Sequence, residues 1–396
     1  MKSRVVVISY SISTSLGVIR SLGAAGYPVD YFCVATHTGQ SKTVALSKYT
    51  GRTTEFFGRK EDEIIAKLQE VYKAQNEKCV LFPADDYCAS LIDRYRDTLS
   101  DLFDMPYIVG QEQGAITDLM DKTVQSQLAA ECGFPVAREW NISLKTDSIV
   151  IPDGIIYPCF VKPLASINGR KTEMGKCSDE KELMEKLLSL KETDSDRLVL
   201  VQEYLNIEQE YSMSGVCADQ EVVLPAIVKK HKIAQFRRGA TLMGELVPVD
   251  EILPAKDAIY RFLRKIRYVG MFDLEVMRVG ERFYFGELNL RSGGPNYSYF
   301  ASGVNLPDMA VKAIIGVPVG EVPAIQLHLV FLNDQDCWED YLHGFITRKE
   351  LKSYYKHADI LLLKGEDDPE PEKCFVREVE QRRVKGAIKR ILRRNG

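Results

Sequence analysis

The distribution of apolar and polar positions along the chain separates two kinds of strand. Residues 4–8 (RVVVI) carry a continuous apolar run from Val5 to Ile8, as a parallel strand covered on both faces requires. In the following SISTSLGVIRSLGAAGYPV, Leu16, Ile19 and Leu22 recur at helical spacing. The Ser/Thr cluster at 13–15 is placed to cap that helix and Gly26 to end it. VDYFCV is a second strand, and VLFPADD (80–86) a later one that carries Asp85 and Asp86 at its carboxyl end, where open parallel sheets bind ligands. Residues 1–115 therefore read as a Rossmann-like parallel-sheet lobe. No G-x-G-x-x-G follows the first strand, so the dinucleotide fingerprint is absent.

Further on, the apolar positions alternate. TDLMDKTVQSQLAAECGFPVA predicts a helix with Val124 and Leu128 on one face, a cap at Gly133 and a stop at Pro135. IIYPCFVKP predicts a strand ending at Lys162, followed by a polar loop containing Gly169 and Gly175. RLVLVQEYL and the segment after it predict two β-rich stretches around an acidic linker. VGMFDLEVMRVGERFYFGELNL reads as a hairpin turning at Gly280. Its second strand runs into LNLRSGGPNYSYF, with Glu287 and Asn289 on one face and Arg291 just beyond. A strand serving only as core would not end in an acid, an amide and a cation.

Composition narrows the class. The chain has 396 residues, too many for one ordinary core, with 45% hydrophobic and 27% charged residues. Its net charge of −4 argues against nucleic-acid binding, which favours basic surfaces. Nine scattered cysteines without a Cys-x-x-Cys pair read as reduced, buried thiols. The N-terminal apolar run is too short for a signal peptide and no stretch is long enough to span a membrane, so the expected location is cytoplasmic.

The candidate chemistry starts at the hairpin. Glu275 precedes Glu287 by twelve residues, and if the two strands pair, Glu275, Glu287 and Asn289 converge as oxygen ligands, with Asp273 in reserve. Such a set suits Mg²⁺, which is usually shared with phosphates. Phosphates need cations: Lys162 at a strand end, Lys122 at a helix start, and Arg170, Lys171 and Lys176 in a loop (164–176) that could close as a lid. Glu203, Tyr204 and Leu205 end a strand where a purine could lie, and Glu210 is placed to accept from ribose hydroxyls. Ser292, Gly293 and Gly294 are small enough to let a ligand approach the backbone. VKKHKIAQFRRG offers Lys229, Lys230, His231, Arg237 and Arg238 as further anion contacts, Arg237 first.

These parts, in this order from Lys122 to Arg291, resemble the ATP-grasp superfamily, most of all the branch of biotin carboxylase and the carbamoyl-phosphate synthetase large subunit. There the spacing of two metal-binding glutamates matches Glu275 and Glu287, and the ending Glu-x-Asn-x-Arg matches Glu287, Asn289 and Arg291. The resemblance implies an α/β ATP-grasp fold preceded by the Rossmann-like domain: a small subdomain with the phosphate loop at 116–195, a large one with the metal site at 196–320, and a C-terminal extension at 321–396. It implies Lys122 and Lys162 on ATP phosphates, Glu203 and Leu205 at the adenine hinge, Glu210 on ribose, and two Mg²⁺ ions, for which Mn²⁺ can substitute, on Glu275, Glu287 and Asn289. The loop SINGRKTEMGK is poorer in glycine than that of biotin carboxylase, and the bicarbonate pocket of that enzyme is not recognisable. NLRSGGPNYSYFASGVNL looks instead like the matching stretch of D-aspartate ligases.

The implied activity is a carboxylate–amine ligase that phosphorylates an amino acid or small peptide-like acid and releases ADP and phosphate, with Arg291 and Lys162 as catalytic residues. The alternatives are a bicarbonate-activating carboxylase or carbamoyl-phosphate-type enzyme and a non-catalytic ATP sensor. Expected partners are small-molecule acids and amines, with no nucleic acid, and a homodimer is common in the superfamily. The tail QRRVKGAIKRILRRNG carries seven Lys/Arg from Arg382 to Arg394, with Val384, Ile388, Ile391 and Leu392 on one helical face. It reads either as a helix docked on the body or as a peripheral contact with the inner face of the membrane.

Overall fold

The computed structural model describes residues 2–145, 148–163, 174–193 and 198–394. The first lobe is a parallel sheet in the order Thr50–Phe57, Val29–Ala35, Val5–Ser9, Cys79–Pro83, Phe103–Asp104. The three central strands are buried along their whole length, which is why they read as mainly apolar runs, with Asp30 the one charged residue among them. The first helix, Ile12–Ala24, is buried from Ser13 to Leu22. Its Ser/Thr cluster therefore lies inside the helix, not at the cap; Ser11 holds the cap position without a side-chain bond. Hydroxyls can sit there because they bond back along the helix, as Ser21 does to the Gly17 carbonyl at 2.7 Å.

A second sheet is antiparallel, in the order Glu139–Ser143, Leu198–Glu203, Cys159–Pro163, Gly175–Cys177. The helix Glu180–Thr193 covers it with Leu183, Leu187 and Leu190. The third and largest sheet has nine strands. Its main path is Arg282–Asn289, Tyr268–Val279, Gln209–Ala218, Ile227–Ile233, Thr241–Val247, Val330–Leu332, Ile360–Leu361. Close packing is built in at Gly215, where a Cβ would lie 2.5 Å from the Phe272 ring and from the Val223 carbonyl. The helix Leu253–Lys265 packs Ile259, Phe262 and Leu263 onto this sheet.

Residues past 320, which carry no readable motif, add two strands to the large sheet and tie back to the first lobe. Arg20, in the first helix, pairs with Asp368 at 2.8 Å, both about fully buried, and donates to the carbonyls of Leu363 and Asp368. The last helix, Glu370–Arg394, buries Phe375 and Val379 in the core, and Arg382 grips Glu339 through both guanidinium nitrogens. Val384 is exposed. The side chains of Ile388, Ile391 and Leu392 lie outside the described residues, so the apolar stripe expected there is not placed. Among the described residues no helix is long and apolar enough to cross a membrane. All nine cysteines are buried and unpaired, as expected.

Candidate active site

The hairpin pairs as its alternation predicts. Glu275 lies directly across from Glu287, and Asp273 across from Asn289. Directly paired residues project to the same face, so four oxygen-bearing side chains form a quadrilateral. All four line one cavity of ≈ 670 Å³. The register slips after Glu275, at Gly286, where a Cβ would lie 2.8 Å from the Glu275 carbonyl oxygen. Glycine is required there because the bulge brings the strands' backbones so close.

Opposed carboxylates repel, and lysines offset that repulsion. Lys230 Nζ lies 3.0 Å from Glu275 Oε1 and 3.3 Å from Glu210 Oε2. Burial alone would lower its pKa, but the two carboxylates raise it above the ordinary lysine value. Lys122 Nζ lies 3.8 Å from Glu287 Oε1. Lys162 is pushed down to about 8 by burial and then by the Lys122 ammonium, against the pull of Glu287, Glu139 and Glu275. An anion near Lys162 would restore its charged form.

Lys122 opens the helix Lys122–Glu131, capped by Asp121, which accepts from the Thr123 and Val124 amides. The buried face of this helix is Lys122, Gln125, Ser126 and Ala129, whereas Val124 is exposed. The expected Val124–Leu128 face is therefore not the buried one. The cause is Gln125: its amide donates to the Leu288 carbonyl at 2.7 Å and accepts from the Leu288 N–H at 3.0 Å. It satisfies the backbone of the Glu287 strand and fixes the helix start beside that glutamate.

Arg291 leaves the hairpin and forks onto Asp86, with Nε and Nη2 at 3.0 and 3.2 Å from its two oxygens; Nη1 lies 3.5 Å from Asp273. Burial disfavours its charge, but these acids raise its pKa. Burial raises the pKa of Asp273, against Arg291 and the Ser214 hydroxyl. Both aspartates after the fourth strand line the cavity; Asp85 also accepts from the Cys88 and Tyr10 amides, each at 2.9 Å. Asp86 faces the site. Ser292 and Gly294 line the cavity, while Gly293 packs so tightly on Asp273 that a Cβ would lie 2.5 Å from its oxygen.

Lys162, Lys176, Glu203, Tyr204, Leu205 and Glu210, expected at the nucleotide, are not among the residues that line this cavity. Glu203 ends its strand, and Tyr204 and Leu205 begin the connector between the second and third sheets. The Glu203 and Tyr204 amides donate to the Arg138 and Pro158 carbonyls. Lys176 Nζ sits 4.4 Å over the Tyr204 ring. Glu210 reaches the acidic quadrilateral through Lys230. Arg237 lines the cavity and pairs with Asp336 at 3.2 Å. The lid residues 164–173, Arg170 and Lys171 included, lie outside the described residues.

Three residues of the site take places that the sequence does not mark. Lys230, expected only as one of several anion contacts, is buried between Glu275 and Glu210, and the run IVKKHKI does not alternate in a way that marks it. Asn333 and Asp336 also line the cavity, and nothing in their local sequence marks them.

Among the described residues no three His, Cys, Asp or Glu side chains form a ready metal cage. Two carboxylates and an amide are instead a hard-oxygen set for a cation that shares its coordination with phosphates.

No protein-family model matches the chain. Over 223 residues it is 22% identical to the carbamoyl phosphate synthase large chain of Lachnoclostridium phytofermentans, covering 54% of this chain and 20% of that protein. It is 23% identical over 175 residues to the formate-dependent phosphoribosylglycinamide formyltransferase of Prochlorococcus marinus, covering 43% of each. The chain thus spans about a fifth of the length of the first of these relatives. Among solved structures it is similar to N5-carboxyaminoimidazole synthetase from Staphylococcus aureus complexed with ADP (TM-score 0.63, 17% identity, 87% of this chain and 86% of that one). It is also similar to an L-amino acid ligase from Bacillus licheniformis (TM-score 0.61, 11% identity, 83% and 78%). A biotin carboxylase from Campylobacter jejuni gives a TM-score of 0.63 at 16% identity, over 82% of this chain and 74% of that one. The fold is the ATP-grasp fold, as the order of motifs predicts.

Proposed function

We propose that the chain is an ATP- and Mg²⁺-dependent carboxylate–amine ligase that activates its acid as an acyl phosphate and releases ADP and phosphate. The observation that carries this reading is the cross-strand pair Glu275–Glu287, flanked by Asn289, each glutamate held by a buried lysine at a cavity that Arg291 also lines. Glu275, Glu287 and Asn289 are the residues that would hold Mg²⁺, as two ions or with Mn²⁺ in substitution. Bound there, the ion supplies charge neutralisation on phosphate oxygens.

The remaining work falls to the chain's own groups. Lys122 and Lys162 hold phosphate oxygens, and an anion beside Lys162 favours its charged form. The connector Glu203–Leu205, with Lys176 stacked on Tyr204, lies along the adenine, and Glu210 accepts from the ribose hydroxyls. Arg291 stabilises negative charge on the substrate carboxyl, which approaches the backbone at Ser292–Gly294. The loop 164–176 excludes water from the intermediate. The domain boundaries proposed are 1–115, 116–195, 196–320 and 321–396. The location proposed is cytoplasmic, with small-molecule acid and amine as partners and a homodimer as the assembly. For the tail, burial of Phe375 and Val379 and the Arg382–Glu339 pair support the docked reading over a membrane contact.

The deciding experiment is ADP release across a panel of amino acids offered as acid–amine pairs, followed by product mass. Release that depends on an added carboxylate and yields a condensed product is expected. ATP binding without any such stimulation would make the protein a sensor. Stimulation by bicarbonate alone would favour a carboxylase-type reaction, the reading that the overlap with carbamoyl phosphate synthase large chains suggests.

A further inference from the structure

The cavity has a second wall, and a single short helix organises it. Asp334–Leu342 is capped by Asn333, and its buried polar side chains each hold a different part of the molecule. Gln335 accepts from the Ser13 amide at 2.9 Å, at the start of the first helix. Asp336 accepts from Arg237 Nη1 at 3.2 Å and from the Asn333 amide nitrogen at 2.8 Å. Asp340 is fully buried and takes two consecutive backbone amides, Gln235 at 3.0 Å and Phe236 at 2.7 Å. The Phe236 ring stacks on His343 at 3.7 Å with an interplanar angle of 8°.

The segment fixed in this way carries Arg237, which lines the cavity. Taken alone, the Arg237–Asp336 pair is a structural salt bridge. The exposures argue otherwise: the Asp336 side chain is 1% exposed and that of Arg237 is 47%. One edge of the guanidinium is given to a buried acid, and the rest meets the cavity. A loop anchored through its backbone, its ring and one guanidinium nitrogen presents a charge already ordered, which spares a ligand the entropy of ordering it.

We propose that Arg237 binds an anionic group of the substrate other than the carboxyl attended by Arg291, and that Asp336 and Asp340 are positioning residues holding its guanidinium and its backbone. The group is a second carboxylate or a phosphate, which the guanidinium fork receives alike. The substrate class is therefore an acid with an additional negative charge. This deepens the ligase reading and rests on it for which substrate the group belongs to.

The test is calorimetric titration of the full-length chain, with and without a non-hydrolysable ATP analogue and Mg²⁺. Glutarate serves as the dicarboxylate probe, phosphoserine as the phosphate probe and butyrate as the singly charged control. One of the first two should bind about tenfold or more tighter than butyrate, the ratio that a charge-assisted hydrogen bond supplies. Whichever does identifies the source of the charge. Arg237→Gln should abolish that preference, and Arg237→Lys should restore part of it. Asp340→Asn should weaken it, as should Asp336→Asn, with recovery in Asp336→Glu. If an aspartate variant fails to fold, the solvent-accessible Arg237 series still decides. Equal binding of all three probes by the native chain, or a preference that survives Arg237→Gln, overturns the inference. ADP release is measured in parallel. A preference without carboxylate-stimulated release removes the ligase reading and leaves the anion site standing, whereas release without a preference does the reverse.

Discussion

The acidic hairpin and the C-terminal wall meet at one cavity, yet they are built in opposite ways. The hairpin is local: Glu275 and Glu287 are joined by one turn, and the register of two neighbouring strands brings them together. The wall is assembled from distance. Arg237 meets Asp336, Ser13 meets Gln335, and Arg20 meets Asp368, across 99, 322 and 348 positions of chain. A local site survives as a pattern in the sequence. A wall made of long-range pairs leaves only isolated polar residues, each of which reads as surface until the fold buries it.

The largest expected effect breaks the long-range half. Arg20 and Asp368 are an ion pair buried on both sides, with carbonyls filling the remaining donors. Removing one partner leaves an uncompensated charge, so Arg20→Met should cost about 3–5 kcal/mol in urea unfolding. A loss below about 1 kcal/mol would mean that the C-terminal segment is not held where the structure has it. The double variant Arg20→Met, Asp368→Leu should recover part of the loss.

The local half breaks catalytically. Glu287→Gln keeps the shape and removes the charge of a proposed metal ligand, and turnover should fall by ~10²–10³ or more. Arg291→Ala should fall by a similar factor in coupled product formation while nucleotide binding persists, read by equilibrium binding of a fluorescent ATP analogue. Full turnover by either variant would remove it from the mechanism.

The first lobe and the hairpin were legible for a physical reason: strands buried on both faces must be apolar throughout, and half-buried strands must alternate. Apolar periodicity failed where polar groups do the packing. The helix at Lys122 buries Gln125 and Ser126 and exposes Val124, because the backbone of the neighbouring strand needs a hydrogen-bonding partner. The wall failed for a different reason. Asp334, Asp336 and Asp340 are paired with amides and a guanidinium that no local pattern can anticipate. Gln125→Leu sharpens the contrast: it improves the helix's apolar character yet leaves the Leu288 amide and carbonyl unpaired. It should destabilise by about 1–3 kcal/mol. A neutral or stabilising result would mean that the strand edge does not depend on that side chain.

A last comparison separates the regions by pH. Asp334, at the head of the wall helix, accepts from the Leu363 and Lys364 amides and is fully buried. Burial raises its pKa from the usual 3.8 to about 7 despite those donors, and the Glu372 carboxylate adds to the rise. The folded chain therefore holds a proton on this group that the unfolded chain has already released. Stability from this source is fully present below about pH 4 and is lost as the pH rises through 7. Asp334→Asn cannot ionise and should flatten that part of the pH dependence. The measurement is the difference in urea midpoint between native chain and variant at several pH values from 4 to 8, with the gap moving in favour of the variant as pH rises. A gap that stays constant would mean that the two backbone amides hold the carboxylate ionised throughout, and the wall would then be as indifferent to pH as an apolar contact.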